Sequence, residues 1–167
     1  MEERVRKRLS EVSEFTISVA LFDDLVDLIS LADNGLETLP NYSMIKRSRS
    51  RMAESFSDMI KNPNKICLIA RVEGVCVGAM AAYIDVLWFS RELYSENIFI
   101  YVVPRWRGSN IASTLLSIYR EWAKARGVSK ILLESSSGIK PLASKRFFER
   151  QGFETLGYRL AWENRDG

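Results

Sequence analysis

The sequence predicts one α/β (α+β) domain, with a mixed central sheet of about six to seven strands flanked by about four helices. Three observations predict it. The 167 residues match the length of one domain. Hydrophobic residues make up 47% and aromatic residues 11%, enough for a core that needs neither metal nor disulfide. Runs with strand periodicity alternate with runs of helical periodicity, most regularly in the C-terminal half, with no internal repeat, low-complexity tract or linker.

Met1 to Glu14 is highly charged and reads as a solvated helix or a frayed end. Phe15 to Ala20 is a β-branched, apolar run and a first strand. Leu21, Phe22, Leu25, Leu28 and Ile29 then fall at helical spacing, and Asn34-Gly35 supplies a C-cap pair. Leu36 to Tyr42 is a loop marked by Pro40. Ser48 to Lys61 is helical, with Met52, Phe56, Met59 and Ile60 on one face, and Asn62-Pro63-Asn64 stops it. Ile66 to Val72 and Val75 to Tyr83, joined by Glu73-Gly74, form a hairpin that Ile84 to Phe89 extends. Asn97 to Val103 is a strand stopped by Pro104. Ser109 to Arg126 is the strongest helix, with an apolar stripe through Ile111, Leu115, Leu116, Ile118, Tyr119, Trp122 and Ala123, ended by Gly127. Lys130 to Glu134 is a short buried strand, followed by the polar loop Ser135 to Gly138. Pro141 to Gln151 is a last helix capped by Gly152. Phe153 to Leu156 and Tyr158 to Trp162 finish the chain as strands around Gly157.

Composition narrows the chemistry. There are 24 basic and 21 acidic residues, a net charge of +3, too mild to argue for nucleic acid but suited to anionic ligands. There is no histidine, which removes Ser–His and Cys–His nucleophile pairs, imidazole bases and most zinc sites. A base must be a carboxylate, tyrosine, lysine or positioned water. No metal is expected. Cys67 and Cys76 sit in apolar runs and read as core residues, with a disulfide as the alternative. No run reaches membrane-spanning length and the N-terminus is charged, so no signal peptide is expected and the expected compartment is the cytoplasm. The basic run Lys46, Arg47, Arg49 and Arg51 reads either as a solvated face or as a contact for an acidic partner.

The chemistry-bearing feature is the turn Arg105-Trp106-Arg107-Gly108-Ser109-Asn110, between the strand that stops at Pro104 and the long helix. A helix start presents backbone N–H groups without intrahelical partners, and the macrodipole adds positive charge, so the turn can hold a diphosphate. Gly108 permits close backbone approach, Asn110 tolerates a left-handed conformation, and Arg105 and Arg107 add charge.

This segment resembles the GCN5-related N-acetyltransferase (GNAT) superfamily, whose signature reads V-x-P-x-x-R-G followed by Q/R-x-x-G-x-G/A. Here stand Val102-Val103-Pro104-Arg105-Trp106-Arg107-Gly108 and then Arg107-Gly108-Ser109-Asn110-Ile111-Ala112. Phe148-Glu149-Arg150-Gln151-Gly152-Phe153 is similar to the late motif Y-E-K-x-G-F, and Gly127 to Glu134 to the strand beside the cofactor. The likeness is good over Glu96 to Phe153. Over Phe15 to Tyr83 only the order of elements agrees.

The resemblance implies acetyl-CoA as co-substrate and a primary amine as acceptor, with direct transfer in a ternary complex. It implies that the backbone of Ile100, Tyr101 and Val102 pairs with the pantetheine arm, and that the segment Arg107, Gly108, Ser109, Asn110, Ile111, Ala112 and Ser113 cradles the pyrophosphate. Asn110 departs from the family's glycine, which implies some cost in backbone freedom. Glu96 and Glu134 match positions where family members carry a catalytic acid; each reads alternatively as a structural ion pair. Strand alternation puts Glu96 on the face of Ile98, Ile100 and Val102. An oxyanion donor is implied at the N–H of Tyr101 or Val102. Phe148 stands where many members have a proton-donating tyrosine, and Pro141 near an asparagine of the motif. The thiolate then leaves unassisted, or water or a tyrosine such as Tyr158 helps. Phe148 is otherwise a residue of the cofactor site. The acceptor pocket implied by this architecture comes from the early helices, Leu36 to Tyr42 and Leu87 to Ser95, with Trp88, Phe89 and Tyr94 lining it or serving packing or dimer contacts. A monomer or homodimer is expected. The competing readings are a non-catalytic module of this fold that binds coenzyme A or a protein partner, and a polyanion binder through Lys46 to Arg51.

Overall fold

The turn at Glu73-Gly74 sets the register of the sheet. Both residues have positive φ, 50° and 80°, as a two-residue hairpin turn requires. It joins β2 (Lys65–Val72) to β3 (Val75–Val86), paired antiparallel from Val72↔Val75 to Lys65↔Tyr83. The computed structural model describes residues 14–42, 44–135 and 138–164. The charged segment Met1 to Glu14 therefore lies, up to residue 13, outside the described residues, as do Ser136 and Ser137 of the expected polar loop.

The sheet order is β1-β2-β3-β4-β5. β1 (Phe15–Val19) and β4 (Leu93–Val102) flank the hairpin antiparallel, and β5 (Lys130–Leu132) joins β4 in parallel. Among the described residues four helices cover it: α1 (Leu25–Glu37), α2 (Arg49–Lys61), α3 (Ile111–Ala125) and α4 (Pro141–Arg150). Strand alternation divides the core in two. Leu68, Ala70, Met80 and Ala82 face Leu115, Leu116 and Tyr119 of α3, while Cys67, Ile69, Ala79 and Ala81 face Leu28 of α1 and Phe56 of α2. Among the described residues no helix is long and apolar enough to cross a membrane.

Three expectations are corrected. The first concerns α1, which does not stop at Asn34-Gly35 but runs to Glu37 with Gly35 buried inside it. A Cβ on Gly35 would lie 3.2 Å from the Tyr101 ring, so this glycine serves close packing rather than termination. The second concerns the sheet, which has five strands among the described residues rather than six or seven. Residues 153–164 form no strand. β5 offers only three residues of regular edge, and Leu156, Tyr158, Leu160 and Trp162 stay 68–96% exposed, so no apolar burial offsets the entropy of ordering a further strand. The third concerns β4, which starts earlier, at Leu93, and carries a bulge described below.

Cys67 and Cys76 are both free. Burial pushes the Cys67 thiol from 9.0 to about 12 and that of Cys76 to about 11, with smaller upward contributions from Asp24 and other neighbours. Neither is a nucleophile at neutral pH. Because the folded thiols hold their protons more tightly than the unfolded chain, stability is full below pH 9 and falls as pH rises toward 12. The expected slope is up to about 1.4 kcal/mol per pH unit for each thiol. Urea melts between pH 8 and 11 on the wild type and on Cys67→Ala check this: the wild type loses stability more steeply.

Candidate functional site

β4 and β5 pair only at Tyr94–Glu96 against Lys130–Leu132, and beyond that they part. The last link is made by a side chain. Asn97, 6% exposed, accepts from the Glu134 N–H at 2.6 Å and donates to the Glu134 carbonyl at 3.2 Å. Its amide stands in for one more rung of the ladder. Just past it the β3–β4 register shifts, with Ala82 opposite Asn97 but Ala81 opposite Phe99, so Ile98 is an extra, bulged residue. The bulge bends β4 away from β5 and opens a cleft.

The bulge also reverses the facing of the strand. Glu96 does not share a face with Ile98, Ile100 and Val102. It pairs with Tyr83, and Tyr83 alternates with Ala81 and Ala79 on the α1/α2 side, the side of Phe99 and Tyr101. The Tyr83 hydroxyl donates to Glu96 Oε2 at 2.7 Å. Burial, with this hydrogen bond adding to it, pushes the Tyr83 phenol well up, so it stays a donor.

Past the bulge, the edge of β4 turned toward the cleft is open. The Val103 N–H donates to the Val77 carbonyl at 2.9 Å. By alternation the backbone of Tyr101 faces β3, and those of Ile100 and Val102 face the cleft. The Val102 carbonyl accepts from Arg107 Nε at 3.0 Å. The Val102 N–H and the backbone of Ile100 remain for a ligand. A 3-10 turn, Pro104–Trp106, then leads to Gly108, whose φ is +83° with nothing within 4 Å of a would-be Cβ. Glycine is needed there for its conformation, and the space beside it is open. Among the described residues, the N–H groups of Gly108, Asn110, Ala112 and Ser113 make no hydrogen bond, whereas that of Ile111 reaches Ser109 Oγ at 3.4 Å. These free donors at the start of α3 form an anion site. Asn110 has φ −78° and ψ 1°, so it stands in the turn without left-handed strain.

A cavity of about 1050 Å³ runs through the cleft. On the α3/α4 side it is bounded by the turn, by Ser113, and by Phe147 and Phe148. On the other side it reaches Leu28, Leu31, Met52, Phe56, Phe99 and Tyr101. The turn side is cationic, with Arg107, Lys140 and Arg150 on the wall. Arg107 also sits 5.7 Å from the centre of the Tyr101 ring.

Of the residues expected from sequence, Ile100, Tyr101, Val102, Arg107, Gly108, Ser109, Asn110, Ala112, Ser113, Phe148 and Glu134 line this one cavity. Ile111 does not. Its side chain is fully buried against Gly78, and only its backbone belongs to the turn. Glu96 is not on the wall either, although its neighbours Asn97 and Ile98 are. Glu134 is ion-paired with Arg159. Trp88 and Phe89 meet edge to face in the β3–β4 turn, 94% and 67% exposed, and Tyr94 packs edge-on against Tyr83; none of the three lines the cavity. Leu36, Leu39 and Tyr42 of the expected loop do. Tyr158 is 96% exposed and off the wall, which leaves it no part in the cleft. Sequence reasoning missed Asn97 altogether. A lone amide at the head of the apolar run from Ile98 to Val103 was the available signal.

The profile of the Acetyltransferase (GNAT) family matches residues 34–153. The chain belongs to the GNAT family. It is 29% identical over 155 residues to an uncharacterized N-acetyltransferase of Methanocaldococcus jannaschii, covering 90% of this chain and 66% of that relative, so it spans about two thirds of that protein's length. The GNAT fold aligns with the ribosomal-protein-alanine N-acetyltransferase of Brucella melitensis biovar Abortus 2308, with TM-score 0.67, 21% identity, 92% of this chain and 100% of that chain. It also aligns with an aminoglycoside N-acetyltransferase in complex with CoA, with TM-score 0.70, 18% identity, 92% of this chain and 96% of that chain.

Proposed function

We propose that the cleft binds acetyl-CoA and passes its acetyl group directly to a primary amine. The observation that carries this is the continuity of the open β4 edge at Ile100–Val102 with the free amides of Gly108, Asn110, Ala112 and Ser113 in one cavity that crosses the sheet. An amide-bearing pantetheine arm pairs with a strand edge as another strand does, and a diphosphate suits a helix start. The co-substrate supplies an activated thioester. The amine nitrogen bonds to the carbonyl carbon, the C–S bond breaks, and the sulfur leaves with its electron pair.

The chain's own groups handle charge and protons. The Val102 N–H, turned toward the cleft, is the donor for the developing oxyanion. Glu96 takes the amine proton through water, with the Tyr83 hydroxyl holding its carboxylate at 2.7 Å. Glu134, already paired with Arg159, is the second candidate base. Phe148 lines the cavity without a proton to give, so the thiolate leaves unassisted. The reading is of a cytoplasmic protein, monomeric or homodimeric.

Glu96→Gln is expected to lower kcat about 100-fold and leave coenzyme A affinity within twofold, whereas Glu134→Gln lowers kcat less. Steady-state kinetics beside calorimetric titration checks both; wild-type turnover in Glu96→Gln removes Glu96 from the role. Phe148 favours one other reading, a coenzyme A-binding module without turnover. Thiol release during incubation with acetyl-CoA and a mixed amine panel separates the two, since a pure binder releases none.

A further inference from the structure

We infer that the acceptor is an amine attached to an apolar group and carrying no second positive charge, and that polyamines and aminoglycosides are excluded. This rests on the acetyltransferase reading and assigns the chemistry of its other half-site. The cavity end between α1, α2 and β4 is walled by Leu28, Leu31, Met52, Phe56, Met59 and Phe99. Phe56 and Phe99 meet edge to face, with ring centres 5.9 Å apart at 88°, and fix the wall's shape. The only charged side chain described there is Arg51, itself a cation, 3.1 Å from Glu54.

The acids of α1 and α2 that make ion pairs are turned to other tasks. Asp33 is held by Arg47 at 3.2 Å and Arg49 at 3.5 Å, Asp58 by Lys65, and Asp27 by Arg71 at 3.1 Å. None of these lines the cavity. The one acid on the described wall, Glu134, lies at the parting of the strands and is engaged by Arg159. The Tyr101 ring, packed on Gly35 and flanked by Arg107, separates this apolar end from the cationic phosphate end.

The reacting nitrogen sheds its charge before it attacks. A second ammonium does not. It would enter a largely apolar, net cationic cavity with no free carboxylate on its described wall to receive it, losing hydration and meeting like charge. That unpaired charge is the discriminating element, while a leucine- or phenylalanine-sized group gains by displacing water from the wall. The likeness to an aminoglycoside N-acetyltransferase, at 18% identity, carries the fold and not this chemistry.

Two sources offer such an amine, a small free amine and the N-terminus of a peptide with an apolar first residue. The test is thiol release at fixed acetyl-CoA with leucinamide, Leu-Ala-Ala amide, spermidine and neamine. At least one leucine-bearing acceptor is expected to exceed spermidine and neamine by about 100-fold in kcat/KM, and the ratio of the two leucine acceptors reports the source. Spermidine or neamine equal to or above both leucine acceptors overturns the inference, as does release with none of the four while acetyl-CoA still raises Tm. No rise in Tm with acetyl-CoA instead defeats the acetyltransferase reading, and the acceptor inference falls with it. Ser55, half-buried on this wall, gives an independent arm. Ser55→Asp supplies the missing carboxylate and is expected to narrow the leucine-to-spermidine ratio at least about tenfold. An unchanged ratio in a variant of wild-type Tm also overturns it.

Discussion

Gly108→Glu is expected to weaken coenzyme A binding about 100-fold while the fold persists. Two effects add. A non-glycine residue at φ +83° costs about 1 kcal/mol or more, and this falls on the bound turn as on the free one. The new carboxylate then faces the open space beside the amides of Gly108, Asn110, Ala112 and Ser113, where the diphosphate binds. Like charges about 5 Å apart at an effective dielectric near 20 repel by about 3 kcal/mol, which is about two decades in Kd. Gly74→Glu is the matched control. Gly74 has φ +80° with nothing within 4 Å, but sits in the β2–β3 turn away from the cavity. Calorimetric titration is expected to give similar losses of Tm in both variants and a loss of coenzyme A affinity in Gly108→Glu alone. Equal affinities in the two variants would contradict the assignment of the turn.

Asn97→Leu is expected to destabilise the protein by about 2–3 kcal/mol, a fall in Tm of roughly 5–10 °C. Leucine keeps the branched, four-heavy-atom outline of asparagine, and the added bulk of its methyl groups at this 6% exposed position is the smaller part of the effect. The loss comes from the Glu134 N–H and carbonyl, both left without the side chain that bonds them at 2.6 and 3.2 Å. Because that pair is the last rung before the cleft, the variant also loses the fixed parting of β4 and β5, and KM for acetyl-CoA rises. Chemical denaturation measures the first effect and steady-state kinetics the second. A change below about 0.5 kcal/mol would show that Asn97 does not close the ladder.

How much of this was legible in the sequence depended on how local the cause was. Pro104, Gly108 and the stripe from Ile111 to Ala123 declare themselves through φ restrictions and helical spacing, so the strand, the turn and α3 were readable residue by residue. Glu73-Gly74 was readable for the same reason. The bulge at Ile98 was not, because Ile98, Ile100 and Val102 alternate as an unbroken strand would; the shift exists only in the pairing with β3. That one residue moved Glu96 to the opposite face from the one its spacing implied. Gly35 looked like a stop because the Tyr101 ring that requires it is distant in sequence. The architecture implied by the resemblance allows Trp88 and Phe89 to line the pocket or to serve packing or dimer contacts, and the length of β3, which runs to Val86, carries them beyond the end of the cavity. Tyr158 to Trp162 alternates as a strand, but strand propensity needs an edge to pair with, and the regular part of β5 ends at Leu132.

The most direct test of the central claim is residue-resolved. In amide spectra of the labelled protein, addition of coenzyme A is expected to shift the N–H resonances of Ile100, Val102, Gly108, Asn110, Ala112 and Ser113, the donors turned to the cleft, and to leave those of Glu73 and Gly74 unmoved. Shifts confined to other segments, or none at saturating coenzyme A, would contradict the account.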